Sequence, residues 1–481
     1  MPHFTMTMRS CWKSSCCLLS VLLLAPLAVL CAADKPQGAR NVLFIIADDL
    51  NRSLPCYGHP IVKTPNVDRL AAQAVRFDRA YCQYPVCSPS RVSFLSGRRP
   101  EQTRVFGNDG PSRTPSLKDA VFLPEYFKQQ GYFTARVGKV FHIGRDVPEC
   151  WDVTEEGTPD GKVIYQPQEP EKLGLADSIA QEDKLDGDTG EGGHWYKLKA
   201  VEDKLIDPNT ARRVSQLIEQ GAEGGKPFFV ACGFRRPHLP WIAPAHYFDL
   251  YAPEKLPLPL RGDVPRPGGG RNQKVPPASD DSRRAALRAY FACISFMDRQ
   301  LGRVLDTLDR LKLWDNTVVV MLGDNGYHLG TRGGYWGKGT PYEESCGVPL
   351  LIAAPGKAKA AGCKRLVEYV DLYPTLVDLC GLPARSDLEG RSLRPLLDDP
   401  AASWDHAAFS INARNNQPVH LAVSTERFRY IESTDAKKAA ELYDIQADPR
   451  EWTNLASRPE HAATLATLKK LAAEYRQKFW K

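Results

Sequence analysis

Apolar residues fall in continuous runs at some places along the chain and in one-sided stripes at others, the patterns of buried strands and of amphipathic helices. The run Asn41 to Ala47 (NVLFIIA) is followed at once by Asp48-Asp49. It predicts a buried parallel strand that delivers two carboxylates at its carboxyl end. Thr64-Pro65 opens a helix whose Val67, Leu70, Ala71 and Ala74 share one face, and Arg76 to Tyr81 predicts a second strand. Further strands are expected at Phe228 to Phe234, Thr317 to Leu322 and Pro349 to Ala353, and helices at Asn209 to Gln220, Asp281 to Leu313 and Asp371 to Leu379. Such alternation predicts an α/β fold with a large, mostly parallel central sheet flanked by helices. Sheets of this class carry their sites beyond the carboxyl ends of the strands.

Two stretches interrupt the alternation, an acidic one from Glu155 to Gly193 and a Pro/Gly-rich one from Pro253 to Pro277. Long loops in a compact enzyme commonly shape its pocket. From about Leu396 the pattern changes to short polar strands and a closing helix, Pro459 to Phe479. A catalytic domain over 34–395 and a smaller C-terminal α+β subdomain over 396–481 are therefore expected.

Arg9 and Lys13, an apolar run from Cys16 to Leu30 and then Cys31-Ala32-Ala33 before Asp34 predict a signal peptide over 1–33. No later apolar stretch is long enough for a stable membrane span. Export to the periplasm or medium is the expectation, and the lone sequon Asn51-Arg52-Ser53 beside the acidic pair argues against a glycosylated lysosomal route. With 43% hydrophobic and 25% charged residues the chain is an ordinary globular one. Its net charge of +6 includes Arg9 and Lys13 and forms no basic stripe, so nucleic acid is not an expected partner. Of 13 cysteines, those at 11, 16, 17 and 31 lie in the signal segment. The remainder is odd, which in an oxidising compartment points to one cysteine with chemistry of its own. No CxxC spacing suggests structural zinc.

Cys87-Ser88-Pro89-Ser90-Arg91 is that candidate. Pro89 in a first helical turn places Cys87 at or just before a helix N-terminus, where backbone N–H groups and the dipole favour an anion. Read alone, Cys87 could equally be a buried thiol or half of a disulfide. Other clusters are Gly138-Lys139-Val140-Phe141-His142, Arg235-Arg236-Pro237-His238 directly after an apolar strand, and Gly323-Asp324-Asn325-Gly326 after another, with Lys338 a short loop later. A single histidine is more often structural than catalytic, but several clusters behind strand ends shift that balance.

Taken in order, these motifs resemble the type I sulfatases from Arg40 to about Leu455, and most of all their iduronate 2-sulfatase branch. The carrying segments are Asp48-Asp49-Leu50, Cys56-Tyr57-Gly58, Thr64-Pro65-Asn66, CSPSRVSFLSGRRP (Cys87 to Pro100), GKVFH (Gly138 to His142), RRPHLPW (Arg235 to Trp241), GDNG (Gly323 to Gly326), EYVDLYPTLVDLCGL (Glu368 to Leu382) and GRSLRPLL (Gly390 to Leu397). The resemblance implies an alkaline-phosphatase-like sulfatase fold and conversion of Cys87 to formylglycine by a maturation enzyme. One hydroxyl of the aldehyde hydrate would attack sulfur, and loss of the other's proton would re-form the aldehyde and release sulfate. It implies a divalent cation, calcium rather than magnesium, held by Asp48, Asp49, Asp324, Asn325 and the converted Cys87. Arg91 and Lys139 would hold the modified residue and counter the sulfate charge, and His142 would deprotonate the diol. His238 and Lys338, with Lys139, would bind the sulfate, and one of the first two would protonate the leaving oxygen. The implied substrate is a sulfated carbohydrate, with the 2-O-sulfate of a uronic acid in glycosaminoglycan-like or algal fragments as the specific expectation.

Two positions depart from that branch: Asn325 where it usually carries His, and Thr331-Arg332 where Glu-His is expected near the substrate. Two other readings stay open. One is a phosphonate or phosphate ester hydrolase of the same superfamily, and the other a sulfated-glycan binder whose Cys87 is never oxidised.

Overall fold

The computed structural model describes residues 40–157, 179–184, 193–199, 202–265, 278–435 and 437–480. The predicted signal peptide and much of the two interrupting stretches lie outside these residues. Every residue of Asn41–Ala47 (β1) is buried, as expected of a strand covered on both faces. Val42, Phe44 and Ile46 enter one core, and Leu43, Ile45 and Ala47 the other.

The central sheet has nine strands. Besides β1 they are Val75–Tyr81 (β2), Phe133–Gly138 (β3), Val153–Glu155 (β4), Phe228–Phe234 (β5), Thr317–Gly323 (β6), Gly347–Val348 (β7), Leu350–Ala353 (β8) and Ala361–Glu368 (β9). The order is β7-β2-β8-β6-β1-β5-β3-β4, with β9 on β2. Parallel pairing joins β1 to β5 and β6, β3 to β4 and β5, and β9 to β2. The antiparallel pairings all involve β7 and β8. Residues 324–349 bring the chain back from β6 to β8 with no long crossover helix, and such a direct return gives an antiparallel neighbour.

One face of the sheet is covered by Pro65–Ala71 (α1), Ile206–Glu223 (α4) and Asp280–Arg310 (α5). The other is covered by Cys87–Ser96 (α2), Leu123–Gln129 (α3) and Leu372–Leu379 (α6). Helix α1 is shorter than its apolar stripe suggested. It ends at Ala71, and Ala74 is buried in the turn into β2. The Asp298 carboxylate of α5 closes the start of α1, accepting from the Asn66 N–H at 3.0 Å and the Val67 N–H at 2.7 Å.

Ala408–Arg414 (β10), Gln417–Ser424 (β11), Phe428–Ser433 (β12) and Glu441–Asp444 (β13) form an antiparallel meander. Ala462–Phe479 (α7) packs on it through Leu468, Ala472, Tyr475 and Phe479. Two ionic centres, one buried and one partly so, fasten this layer to the main sheet. Arg99 forks onto Glu368 at 2.8 and 2.5 Å while its guanidinium lies against the rings of Phe409, Tyr475 and Phe479. Glu343 is gripped by Arg52, from the loop after β1, and by Arg429 of β12.

Burial alone would raise the Glu343 carboxyl, but Arg52 and Arg429 hold it down at about 2, against an ordinary 4.5. A carboxyl lowered on folding contributes stability above its unfolded value and loses it as pH falls through the folded one. Glu343→Gln is expected to cost roughly 3 kcal/mol at neutral pH. In urea titrations its difference from wild type should shrink as pH falls from about 4.5 towards 2.

Candidate active site

Register decides which side chains meet. Ala47 of β1 lies opposite Phe234 of β5 and Gly323 of β6, and Gly138 of β3 lies opposite Gly233. Residues 48, 235 and 324 therefore leave the sheet in one row, and residue 139 leaves it one position earlier. Gly323 is required here, since a Cβ at that position would sit 2.2 Å from the Leu50 carbonyl oxygen. Asp49 adopts φ +60°, which swings its side chain back over the row. Its N–H donates to Asp324 Oδ1 at 3.0 Å, and Asn325 Nδ2 donates to Asp49 Oδ1 at 2.8 Å.

Arg91, wholly buried on α2, spans the carboxylates. Its Nε donates to Asp324 Oδ2 at 2.8 Å and its Nη2 to Asp48 Oδ1 at 3.1 Å. Its Nη1 bonds the carbonyls of Lys139 and Val140. Lys139 Nζ bonds Asp48 Oδ2. Lys338 Nζ lies 2.5 Å from Asp49 Oδ1 and 3.0 Å from the sulfur of Cys87, the first residue of α2. His238 Nε2 is 3.7 Å from Asp49 Oδ2, while its Nδ1 donates to the Leu239 carbonyl at 2.6 Å. All these predicted residues thus share one cluster. His142 is half-buried beside it, with Nδ1 buried and unpartnered and no bond to residue 87 among the described contacts.

The electrostatics follow from burial. Burial would raise the Asp48 carboxyl, yet Lys139, His238, Arg91 and Lys338 hold it well below the carboxylate range. Asp324 is pushed up to about 6 by burial against the pull of Arg91. Burial brings His238 down to about 4 and, aided by Lys139, His142 to about 2, so both rings are neutral at neutral pH. Burial and Asp48 push the Cys87 thiol up, which leaves the encoded side chain a poor nucleophile.

The side chains around Asp49 could hold a metal ion. Single donor atoms of Asp48, Asp49, Cys87 and His238 lie within 4.8 Å of one another. Asp49 Oδ2 and Asn325 Oδ1 are buried acceptors with no hydrogen-bond partner. Unpaired buried oxygens are costly, and a hard divalent cation is a partner that such oxygens fit.

The sulfatase profile matches residues 40–382, and a profile for the N-sulphoglucosamine sulphohydrolase C-terminal region matches residues 331–478. The chain belongs to the sulfatase family. It is 34% identical over 457 residues to a sulfatase of Formosa agariphila, covering 91% of this chain and 86% of that one. It is 33% identical over 406 residues to the iduronate 2-sulfatase of Mus musculus, covering 73% and 70%. The phosphonate monoester hydrolase of Agrobacterium radiobacter superposes with a TM-score of 0.73 at 23% identity, over 92% of this chain and 96% of that one. This sulfatase therefore has the alkaline-phosphatase-like fold, resembles iduronate 2-sulfatase, and hydrolyses sulfate esters.

Arg332, expected near the substrate, is buried in this sulfatase and turned away from solvent. It donates to the Glu451 carbonyl at 2.6 Å and the Tyr443 hydroxyl at 3.0 Å, and lies over the Tyr342 ring. The sequence reading missed three contributors. Ser90 Oγ bonds the Asp324 carbonyl at 2.5 Å. Asp207, in the first turn of α4, accepts the N–H groups of Arg235 and Arg236 at 2.8 and 3.0 Å and so fixes the loop carrying His238. Tyr290 bonds the backbone on either side of Leu50. Ser90 lies inside a quoted motif, but Asp207 reads as an ordinary helix-start acid and Tyr290 as core.

Replacing Arg91 with Met would leave Asp48 and Asp324 buried without their shared cation. The variant is expected to lose roughly 3–5 kcal/mol in a denaturant titration. Arg91→Lys should recover only part of this, because it restores charge without the planar fork.

Proposed function

We propose that this sulfatase removes the 2-O-sulfate of a uronic acid residue from glycosaminoglycan-like or algal polysaccharide fragments after export from the cytoplasm. The observation that carries the catalytic part is the placement of residue 87 at a helix N-terminus, 3.0 Å from Lys338 Nζ and beside carboxylates from two strand ends. Similarity to iduronate 2-sulfatase supports the uronate preference, while Asn325 and the buried Arg332 stand where the sequence departs from the pattern expected of that branch.

Asp48, Asp49, Asp324 and Asn325 would hold the cation, calcium in our reading, which when bound polarises the sulfate oxygens. Residue 87, once converted to formylglycine by a maturation enzyme, supplies a geminal-diol hydroxyl as nucleophile. The start of α2 favours an anion through its dipole. Lys139 and Lys338 add fixed positive charge, each already bonded to a carboxylate that holds its ammonium in place. His238 has Nδ1 committed to Leu239, so only Nε2 is available to exchange a proton with substrate. His142, whose Nδ1 is buried and has no hydrogen-bond partner, would take the diol proton. Protonation of the leaving oxygen falls to Lys338 or His238.

A second reading has an observation in its favour: a phosphonate ester hydrolase shares the fold, and every group named above also suits a tetrahedral phosphorus oxyanion. Side-by-side kcat/KM on a sulfated uronate, an aryl sulfate and an aryl phosphonate ester decides between them. The sulfated uronate should be preferred, and a preference for the phosphorus ester would overturn our reading.

Cys87→Ala is expected to keep its melting temperature within a few degrees while sulfate release falls by on the order of 10⁴-fold or more. Mass spectrometry of the wild-type peptide containing residue 87 should show an aldehyde, and an intact thiol throughout would leave a glycan-binding role instead. Chelation is expected to abolish turnover, with calcium restoring it better than magnesium.

A further inference from the structure

Asp49 is held in a conformation that its own turn does not stabilise. Its φ of +60° is one that L side chains rarely adopt, and neither carboxylate oxygen bonds the local backbone. Oδ1 accepts from Asn325 and Lys338, and Oδ2 has no hydrogen-bond partner. The turn is fastened from outside. On one side the Asp49 N–H donates to Asp324. On the other, the hydroxyl of Tyr290 donates to the Asp49 carbonyl at 2.7 Å and accepts the Asn51 N–H at 3.0 Å.

Tyr290 is well built for that task. It sits within α5, fully buried, with its ring stacked on Tyr327 at 5.9 Å and edge-on to Trp241 at 5.9 Å. Tyr327 in turn accepts from Asn51 Nδ2 at 3.0 Å through its backbone carbonyl. The aromatic packing fixes the ring, and the ring fixes the hydroxyl across the turn. A hydroxyl bonded to two backbone groups flanking Leu50 leaves the preceding carboxylate little freedom to rotate outward.

We propose that Tyr290 is a positioning residue that sets the affinity of the site for its divalent cation by holding the left-handed turn at Asp49. The inference rests on the reading of Asp49 as a cation ligand. It predicts a division of labour: the ring serves the core, and the hydroxyl serves the site. Tyr290→Phe separates the two, because it keeps the ring and its packing and removes one oxygen.

The test uses the full mature enzyme as wild type, Tyr290→Phe and Asp49→Asn, stripped with chelator and titrated with calcium by calorimetry. Melting temperatures are taken without calcium and at saturation. Tyr290→Phe should bind calcium about 10-fold more weakly, a loss in the range expected when a partner of a metal-ligating group is removed. Its calcium-induced rise in melting temperature should shrink, and kcat lost at low calcium should return at high calcium with KM for the sulfate ester within about two-fold of wild type. Equal destabilisation with and without calcium, at an unchanged calcium affinity, would make Tyr290 a core residue only and overturn the inference while Asp49→Asn still loses binding. Unchanged binding in Asp49→Asn would overturn the ligand reading and this inference with it.

Discussion

Two carboxylates that leave adjacent parallel strands in register are forced together, and the mutual repulsion of Asp48 and Asp324 is the constraint to which the rest of the site answers. Arg91 resolves it from beneath, with one guanidinium bonded to both acids and no exposure to water. A lysine could supply the charge but not the two directions, because the acids lie on different strands and accept from different nitrogens. The motif that carries Cys87 therefore carries the counter-ion as well. One helical turn separates Cys87 from the residue that holds the cluster together, so the two are placed by the same helix.

Above this base the charges alternate. Asp49 folds back over the row and draws Lys338 to it, Lys139 closes on Asp48, and His238 completes the rim. The cluster is nearly balanced within itself, and the unpartnered atoms of Asp49 and Asn325 in it are oxygens. That arrangement favours a hard cation and an anionic substrate together, since each relieves the field left by the other.

The ends of β1, β5 and β6 were legible in the sequence because a strand buried on both faces is apolar throughout, and the abrupt change to Asp48-Asp49, Arg235 or Asp324 marks where each one stops, whereas β3, with Thr134 and Arg136 in it, was not predicted. Cys87, at the start of α2, was legible from Pro89 two positions on. What periodicity could not supply was sideways information. It gave no sign that β8 would return antiparallel, because direction depends on the connection and not on the strand. Nor could it separate Arg332, which serves the C-terminal sheet, from an arginine facing substrate. Tyr290 and Asp207 were invisible for a related reason: each acts through backbone groups remote in sequence, and a buried Tyr or a helix-start Asp has a common structural explanation.

Every residue of α2 is buried, from Cys87 to Ser96. The folded domain therefore offers a second protein no accessible, extended chain around Cys87. If another protein converts Cys87, as our proposed function requires, this burial puts that step before α2 has packed into the domain. Under that proposal the yield of converted protein would be set by the relative rates of maturation and folding.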